Sequence, residues 1–216
     1  MSSMQLRGPS DGAKRAFDIV SASVGLTLLT PLLCLIAVGV RLDSPGPVFY
    51  RGLRSGLGGV PFRIFKFRTM IASAERVGGR STGKDDPRVT RFGRPLRRRK
   101  LDELPQLINV LKGEMSIVGP RPEIPSYTEQ YVGEDRAILS VRPGITDLAS
   151  MKFYQLAEEL GSEDPDRVYE ERVRPVKNAL RLKYVRERSF IGDLRIVVST
   201  VILFTFGVRE ARNARR

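Results

Sequence analysis

Residues 19–40 read IVSASVGLTLLTPLLCLIAVGV, about 22 positions without a charge. A helix needs roughly 20 apolar residues to cross the hydrocarbon core, so this segment is long enough for a bilayer. It is too long for the apolar core of a cleaved signal, which is about 7–15 residues. Its flanks complicate a simple crossing. Lys14 and Arg15 precede it, and Arg41, Arg51 and Arg54 follow it. Cytoplasmic flanks are the basic ones, so both ends ask for the same face. Thr30-Pro31 sits near the middle. Pro31 lacks a backbone donor and its ring crowds the preceding turn, which kinks or breaks a helix. One reading is a re-entrant helix that bends at Thr30-Pro31 and returns to the face it entered. The other is a kinked helix that spans.

The rest of the chain is organised around that segment. Residues 196–208, IVVSTVILFTFGV, are too few to span, and Arg195, Arg209, Arg212, Arg215 and Arg216 surround them. Such a stretch suits an interfacial helix with snorkelling arginines, or equally a core helix. Three units are expected: a tail and membrane helix over 1–43, a cytoplasmic domain over 44–190, and an interfacial helix with a basic tail over 191–216. Val48–Tyr50 and Pro61–Arg68 have strand composition, with Gly56, Gly58 and Gly59 between them as in a hairpin. Residues 78–87 read as a glycine-rich loop. Helical patterning covers 96–111, and again 151–188 with breaks at 161–165 and near Pro175. The fold class expected is α+β, mostly helical, with a small β-hairpin or sheet and interfacial amphipathic helices.

Composition then narrows the chemistry. The 216 residues contain no His and one Cys, Cys34. This excludes a Ser-His-Asp triad, His-ligated metals and an intrachain disulfide. Acid–base work falls to Asp, Glu, Lys or Tyr, and a metal would need oxygen ligands, which favours Mg²⁺ or Mn²⁺. The net charge of +13 asks for an acidic partner: nucleic acid, an anionic membrane surface or a phosphorylated substrate.

The charge is concentrated. Residues 88–100, RVTRFGRPLRRRK, hold seven cations and no acid, and Leu101-Asp102-Glu103-Leu104 follows at once. Arginines beside a carboxylate can gather phosphates that the carboxylate approaches. A carboxylate can also attack phosphorus and form an acyl phosphate. Downstream, Pro120 and Pro122 stiffen the backbone around Arg121, and Arg142-Pro143-Gly144 repeats an arginine before a rigid turn. No P-loop or GxGxxG is present. Phe92 is the one aromatic among the 88–100 cations, which disfavours nucleic acid as the partner. A membrane-tethered binder of nucleic acid or anionic lipid, without catalysis, is the alternative to an enzyme.

Taken together, these segments resemble the bacterial sugar transferases, the monotopic phosphoglycosyl transferases acting on polyprenyl phosphate. The resemblance is carried by KRAFDIV at 14–20, SPGPVFYRGLRSG at 44–56, PFRIFKFRTM at 61–70, DPRVTRFGRPLRR at 86–98, LDELPQLINVLKGEMSIVGPRPE at 101–123 and RPGIT at 142–146. It implies transfer of a sugar-1-phosphate from a UDP-sugar to polyprenyl phosphate, with UMP leaving. It further implies Asp102 as nucleophile and Mg²⁺ contact, with a covalent phosphosugar on it. Glu103 would position groups or handle protons. Phosphate or nucleotide contacts are implied at Arg97, Arg121, Arg142, Lys66, Arg68, Pro120 and Pro122. Thr30-Pro31 stands where the family breaks its re-entrant helix at Ser-Pro. The expected cofactor is Mg²⁺, with Mn²⁺ as substitute. Expected partners are a UDP-sugar, polyprenyl phosphate and anionic lipid headgroups, with a homodimer left open and no nucleic acid. The implied location is the cytoplasmic face of a bacterial inner membrane. After Thr146 the chain reads Asp147-Leu148-Ala149 where many members read GWA.

Overall fold

The computed structural model describes residues 11–79 and 81–213. Helix α1 runs over Asp11–Asp43, 33 residues, or about 50 Å at 1.5 Å per residue. It is the one helix among the described residues long and apolar enough to cross a membrane. Pro31, the expected bend point with Thr30, lies inside the helix, and the chain keeps helical backbone on both sides of it. The Thr30 hydroxyl donates to Leu26 O at 2.7 Å and the Thr27 hydroxyl to Ser23 O at 2.9 Å, so neither bonds the carbonyl that Pro31 leaves free. The turn around Pro31 is itself exposed, and α1 packs on either side of it. Ala22 packs with Val110 and Met115, while Ile36 and Val40 pack with Phe67 and Leu96.

Both ends of α1 are tied to one body. At the start, Lys14 Nζ donates to Val118 O at 3.0 Å and pairs with Asp193. Arg15 donates to Val110 O at 2.7 Å, and Asp18 Oδ1 accepts from Ile117 N at 2.9 Å and Ser116 Oγ at 3.0 Å. At the end, the buried Arg68 guanidinium donates to Val40 O at 3.2 Å, Ser44 O at 2.6 Å and Pro45 O at 2.8 Å. These are carbonyls that a helix end leaves without partners. The helix is therefore fastened at both ends and leaves most of its apolar surface exposed, Val20, Val24, Leu28, Leu35, Val38 and Leu42 included.

The hairpin forms in two short ladders. Strand β1 (Phe49–Tyr50) is followed by β2 (Leu53–Ser55), β3 (Pro61–Arg63) and β4 (Lys66–Phe67). β2 pairs antiparallel with β3, and β1 with β4. Gly58 (φ 66°) and Gly59 (φ 79°) turn the connection in the left-handed region that glycine tolerates. The single strand expected over 61–68 is interrupted at Ile64–Phe65. There Asn109 accepts from Phe65 N at 2.8 Å and donates to Arg63 O at 3.0 Å. After α2 (Ala74–Val77), the 78–87 loop is closed by buried Arg88, which pairs with Asp86 at 2.6 Å and donates to Gly79 O and Ser81 O.

The helix expected over 96–111 is instead three pieces: α3 (Gly93–Arg98), a 3₁₀ turn over Leu101–Glu103, and α4 (Gln106–Leu111). Lys100, with φ 56°, and Pro105 separate them. Next come β5 (Ser116–Val118), α5 (Pro125–Thr128), a 3₁₀ segment over Gly133–Ser140, and β6 (Gly144–Thr146), parallel to β5. The chain continues through α6 (Leu148–Lys152), α7 (Leu156–Leu160) and α8 (Pro165–Val168). The break expected near Pro175 is a π-helical turn over Tyr169–Val173, leading straight into α9 (Arg174–Glu187). Widening the turn accommodates a proline that cannot donate. Helix α10 (Phe190–Asn213) packs Ile196 and Val197 inward beside Val118 and exposes Ile191, Leu194, Val198, Val201 and Ile202. It is thus half core and half exposed apolar face. The side chains of Arg209, Arg212, Arg215 and Arg216 lie outside the described residues.

Gly144 is where β5 and β6 press closest. A Cβ there would stand 2.0 Å from Gly119 N and 2.4 Å from Gly119 O. Backbone cannot yield as a side-chain end can, so Gly144→Ala is expected to destabilise the fold by about 3 kcal/mol. Thermal unfolding in detergent measures it; an unchanged midpoint would contradict the close approach.

Candidate active site

The Leu101–Glu103 turn carries both acids of the dyad into the interior. Asp102 is 1% exposed and Glu103 7%. Two neighbours meet them. Lys66, on β4, places Nζ 2.7 Å from Asp102 Oδ2 and 3.2 Å from Glu103 Oε1. Arg121, on the Pro120-Arg121-Pro122 loop, donates to Glu103 Oε1 at 2.5 Å. Lys66 approaches Asp102 out of line for a hydrogen bond, so both Asp102 carboxylate oxygens are buried without a hydrogen-bond partner. So is the side-chain amide of Gln106, four residues on and fully buried. An unmade buried hydrogen bond costs about 1–3 kcal/mol. Such groups mark a place arranged for something other than folding.

The electrostatics separate the two acids. Burial pushes the Glu103 carboxyl up, but Arg121, Lys66 and Lys100 outweigh it and hold it well below its usual 4.5. Arg121 is pushed down by burial and more than recovered by Glu103. Glu103 is therefore a permanent anion that aims two cations. The Arg121 loop is itself held from behind. Arg121 N donates to Asp147 Oδ2 at 3.0 Å, and Asp147 Oδ1 caps α6 by accepting from Ser150 N at 2.6 Å. Asp147, at the departure from the family pattern, thus has a positional reason.

Lys100 precedes the dyad in the left-handed conformation (φ 56°, ψ 17°). An L side chain there costs roughly 1–2 kcal/mol. Lys100→Gly is expected to raise stability by about 1 kcal/mol while lowering turnover, because the strained backbone presents a cation. Unfolding and product-release assays read both; a loss of stability would refute stored strain.

A cleft of about 600 Å³ opens in front of this group, with Arg54, Lys66, Arg94, Arg97, Lys100 and Arg121 among its walls. Asp102 lies just behind Lys66. Pro122 is on the wall, and Pro120 is buried beneath it, accepting from Gly144 N at 3.0 Å. Arg97 also donates to Thr69 Oγ1 at 3.4 Å. Of the residues expected at the site, Asp102, Glu103, Lys66, Arg97, Arg121 and Pro122 come together. Arg68 and Arg142 do not. Arg68 is spent on the end of α1, and exposed Arg142 donates to Gly113 O at 3.0 Å. Of the 88–100 cations, Arg94, Arg97, Arg98 and Lys100 reach the cleft, while Arg88 serves the loop.

Two further residues were not legible in the sequence. Arg181, 1% exposed on α9, donates to Glu123 Oε1 at 2.6 Å and lies 3.9 Å from Asp147. Tyr169 donates to the same Glu123 oxygen at 2.5 Å. Lys177, also on α9 and 6% exposed, lines the cleft, and burial lowers it to about 8 against the pull of Glu123. Both lie in a charged helical tract whose pattern reads simply as a solvated face.

Magnesium needs few protein ligands, since it keeps waters and binds one or two carboxylates plus substrate phosphates. The Asp102 carboxylate, which accepts no hydrogen bond and pairs only with Lys66, fits that donor set. No cluster of three or more acidic or thiol ligands exists among the described residues, so a cage built by the protein alone is not offered.

The family model described as bacterial sugar transferase matches residues 10–207. A UDP-glucose:undecaprenyl-phosphate glucose-1-phosphate transferase of Escherichia coli is 43% identical over 200 residues, covering 91% of this chain and 41% of the relative. A protein of the same name from Caulobacter vibrioides is 39% identical over 194 residues, covering 88% and 69%. The exopolysaccharide production protein PSS of Rhizobium leguminosarum is 40% identical over 197 residues, covering 88% and 93%. The chain thus spans about two fifths of the E. coli relative and nearly all of the Rhizobium one.

Proposed function

Because this chain belongs to the bacterial sugar transferase family, we propose that it transfers a sugar-1-phosphate from a UDP-sugar to undecaprenyl phosphate, releasing UMP. The names of its relatives supply the substrate classes. The observation that carries the reading is the buried Asp102, whose oxygens accept no hydrogen bond and pair only with Lys66, beside a cleft walled by cations. In this reading the donor diphosphate enters the cleft and draws Lys66 and Arg121 onto its oxygens. Asp102 attacks the sugar-bearing phosphorus. The bond from that phosphorus to the bridging oxygen breaks, and the electron pair leaves on UMP. A phosphate oxygen of the acceptor then attacks the phosphosugar on Asp102, the acyl phosphate bond breaks, and the carboxylate is restored. Cations fixed in advance stabilise the charge that builds on the transferring phosphoryl group. Glu103, held anionic, positions Lys66 and Arg121 instead of giving a proton. Asp102 would hold Mg²⁺ together with substrate phosphates, and the ion would screen carboxylate from phosphate.

The membrane reading follows from α1. Both its ends are fastened to one body, and most of its apolar surface is exposed. We place α1 in the cytoplasmic leaflet of a bacterial inner membrane, entering and returning on one side, with the catalytic body in the cytoplasm. This first membrane-bound sugar would start a longer glycan.

The test is nucleotide release from purified protein in nanodiscs, given Mg²⁺, polyprenyl phosphate and a panel of UDP-sugars. UMP is the expected product. UDP would mean ordinary glycosyl transfer and overturn the reading.

A further inference from the structure

A second cavity, of about 340 Å³, lies on the other side of the dyad turn. Its walls are mainly apolar, from Leu101, Leu104, Leu107, Met151, Phe153 and Leu203. Its inner end is not. Lys100, Arg121 and Lys177 line this cavity and the cationic cleft alike, and Glu103 also faces it. An apolar pocket with a few charged groups at one end suits an amphipathic ligand with an anionic head.

Lys177 is the second observation. It is buried, yet among the described residues no carboxylate stands within ion-pair distance of it. Its recorded neighbours are ring faces, Tyr169 at 4.8 Å and Phe153 at 5.8 Å. The nearby acids are engaged elsewhere: Glu123 by Arg181 and Tyr169, Asp147 by backbone N–H groups. Glu123 acts on Lys177 only from beyond ion-pair distance and is already shared with Arg181, and a buried cation so placed is costly unless a ligand supplies a charge in contact.

The outer wall supplies the third. Thr200, Leu203 and Phe204 of α10 close the cavity, and the opposite side of that helix exposes Val198, Val201 and Ile202. One helix therefore separates the cavity from an apolar surface. That surface meets α1 through the edge-to-face contact of Phe17 and Phe190.

We propose that this cavity seats the first isoprene units of the polyprenyl phosphate acceptor, with its phosphate drawn to Lys177 and Lys100 beside the dyad. The inference rests on the reading above and adds a separate place for the acceptor. A UDP-sugar, polar throughout, has no use for these walls. A long hydrocarbon tail leaves over α10 toward lipid, while the head arrives at the junction of the two cavities.

The chain has no Trp, so Phe204→Trp installs a single indole at the cavity wall, and Leu203→Trp is a second reporter should the first disturb folding. Farnesyl phosphate is titrated into full-length protein in nanodiscs of phosphatidylcholine. A saturable change in emission is expected, with farnesol at least ten-fold weaker. Lys177→Gln in the reporter background should weaken farnesyl phosphate about ten-fold, the scale of one charge-assisted contact. A silent response in both reporters overturns the proposal. So does an equal response to phosphatidylglycerol vesicles, which would make this a general lipid seat, or displacement by UMP, which would assign it to the donor. Binding is read without turnover. Farnesyl phosphate binding without UMP release would sink the reaction and keep the site; UMP release with silent reporters would sink the site alone.

Discussion

Asp102→Asn is expected to lower UMP release by about 10³-fold or more, the scale on which loss of a nucleophile is felt, with the fold retained. The side chain is 1% exposed and makes no hydrogen bond through either oxygen. Exchanging it for an isosteric amide removes a buried charge and its 2.7 Å ion pair with Lys66, but breaks no hydrogen bond. Lys66 keeps its contact with Glu103 at 3.2 Å. The amide cannot form the acyl phosphate, so chemistry stops while structure persists. Release of UMP and the unfolding midpoint, measured on one preparation, separate the two effects. Turnover within ten-fold of the parent would remove Asp102 as nucleophile. Intact mass of the parent after donor alone should show one added phosphosugar, and Asp102→Asn none.

Arg181→Ala should be the most destabilising of the exchanges considered, by about 3–5 kcal/mol, because it leaves a buried carboxylate unpaired. Arg181 is 1% exposed and bonds Glu123 at 2.6 Å. Glu123 is pushed up by burial, but Arg181 and Lys177 outweigh that and bring it down to about 2 from its usual 4.5. The sign follows. With its folded value depressed, Glu123 contributes fully above the unfolded value and loses that contribution as pH falls from 4.5 toward 2. Removing Arg181 should flatten this part of the pH–stability curve. Denaturant unfolding across that range reads it, and an undiminished slope would assign the acid sensitivity to other carboxylates. Arg181→Lys, which keeps a charge but loses the fork, should recover part of the stability and little of the geometry.

Several features were legible before any coordinates. The hairpin followed from strand composition around three glycines. The 88–100 basic run against Asp102-Glu103 marked the site, and the stiff loop around Arg121 its other wall. The failures share a cause. Arg68 and Arg97 sit in similar basic contexts, yet one caps α1 and the other lines the cleft. Residue type states what a guanidinium can bind, not which oxygens the fold brings near it. The helix over 96–111 was split by Lys100, whose left-handed backbone no periodicity announces. Glu123, Asp147, Lys177 and Arg181 come together across 58 positions of chain, and each alone reads as a surface charge.

Already written in the chain are an apolar segment long enough to cross a membrane, the basic balance, the absence of histidine and the adjacent acids. Those are properties of residue type and spacing, which local physics can read. Tertiary structure alone decided what α1 is fastened to, since Ala22 meets Val110 and Met115 while Ile36 and Val40 meet Phe67 and Leu96 only once the chain has folded. It alone decided that Lys66 meets both acids while Arg121 meets Glu103, because that division depends on where β4 and the Arg121 loop converge on one short turn.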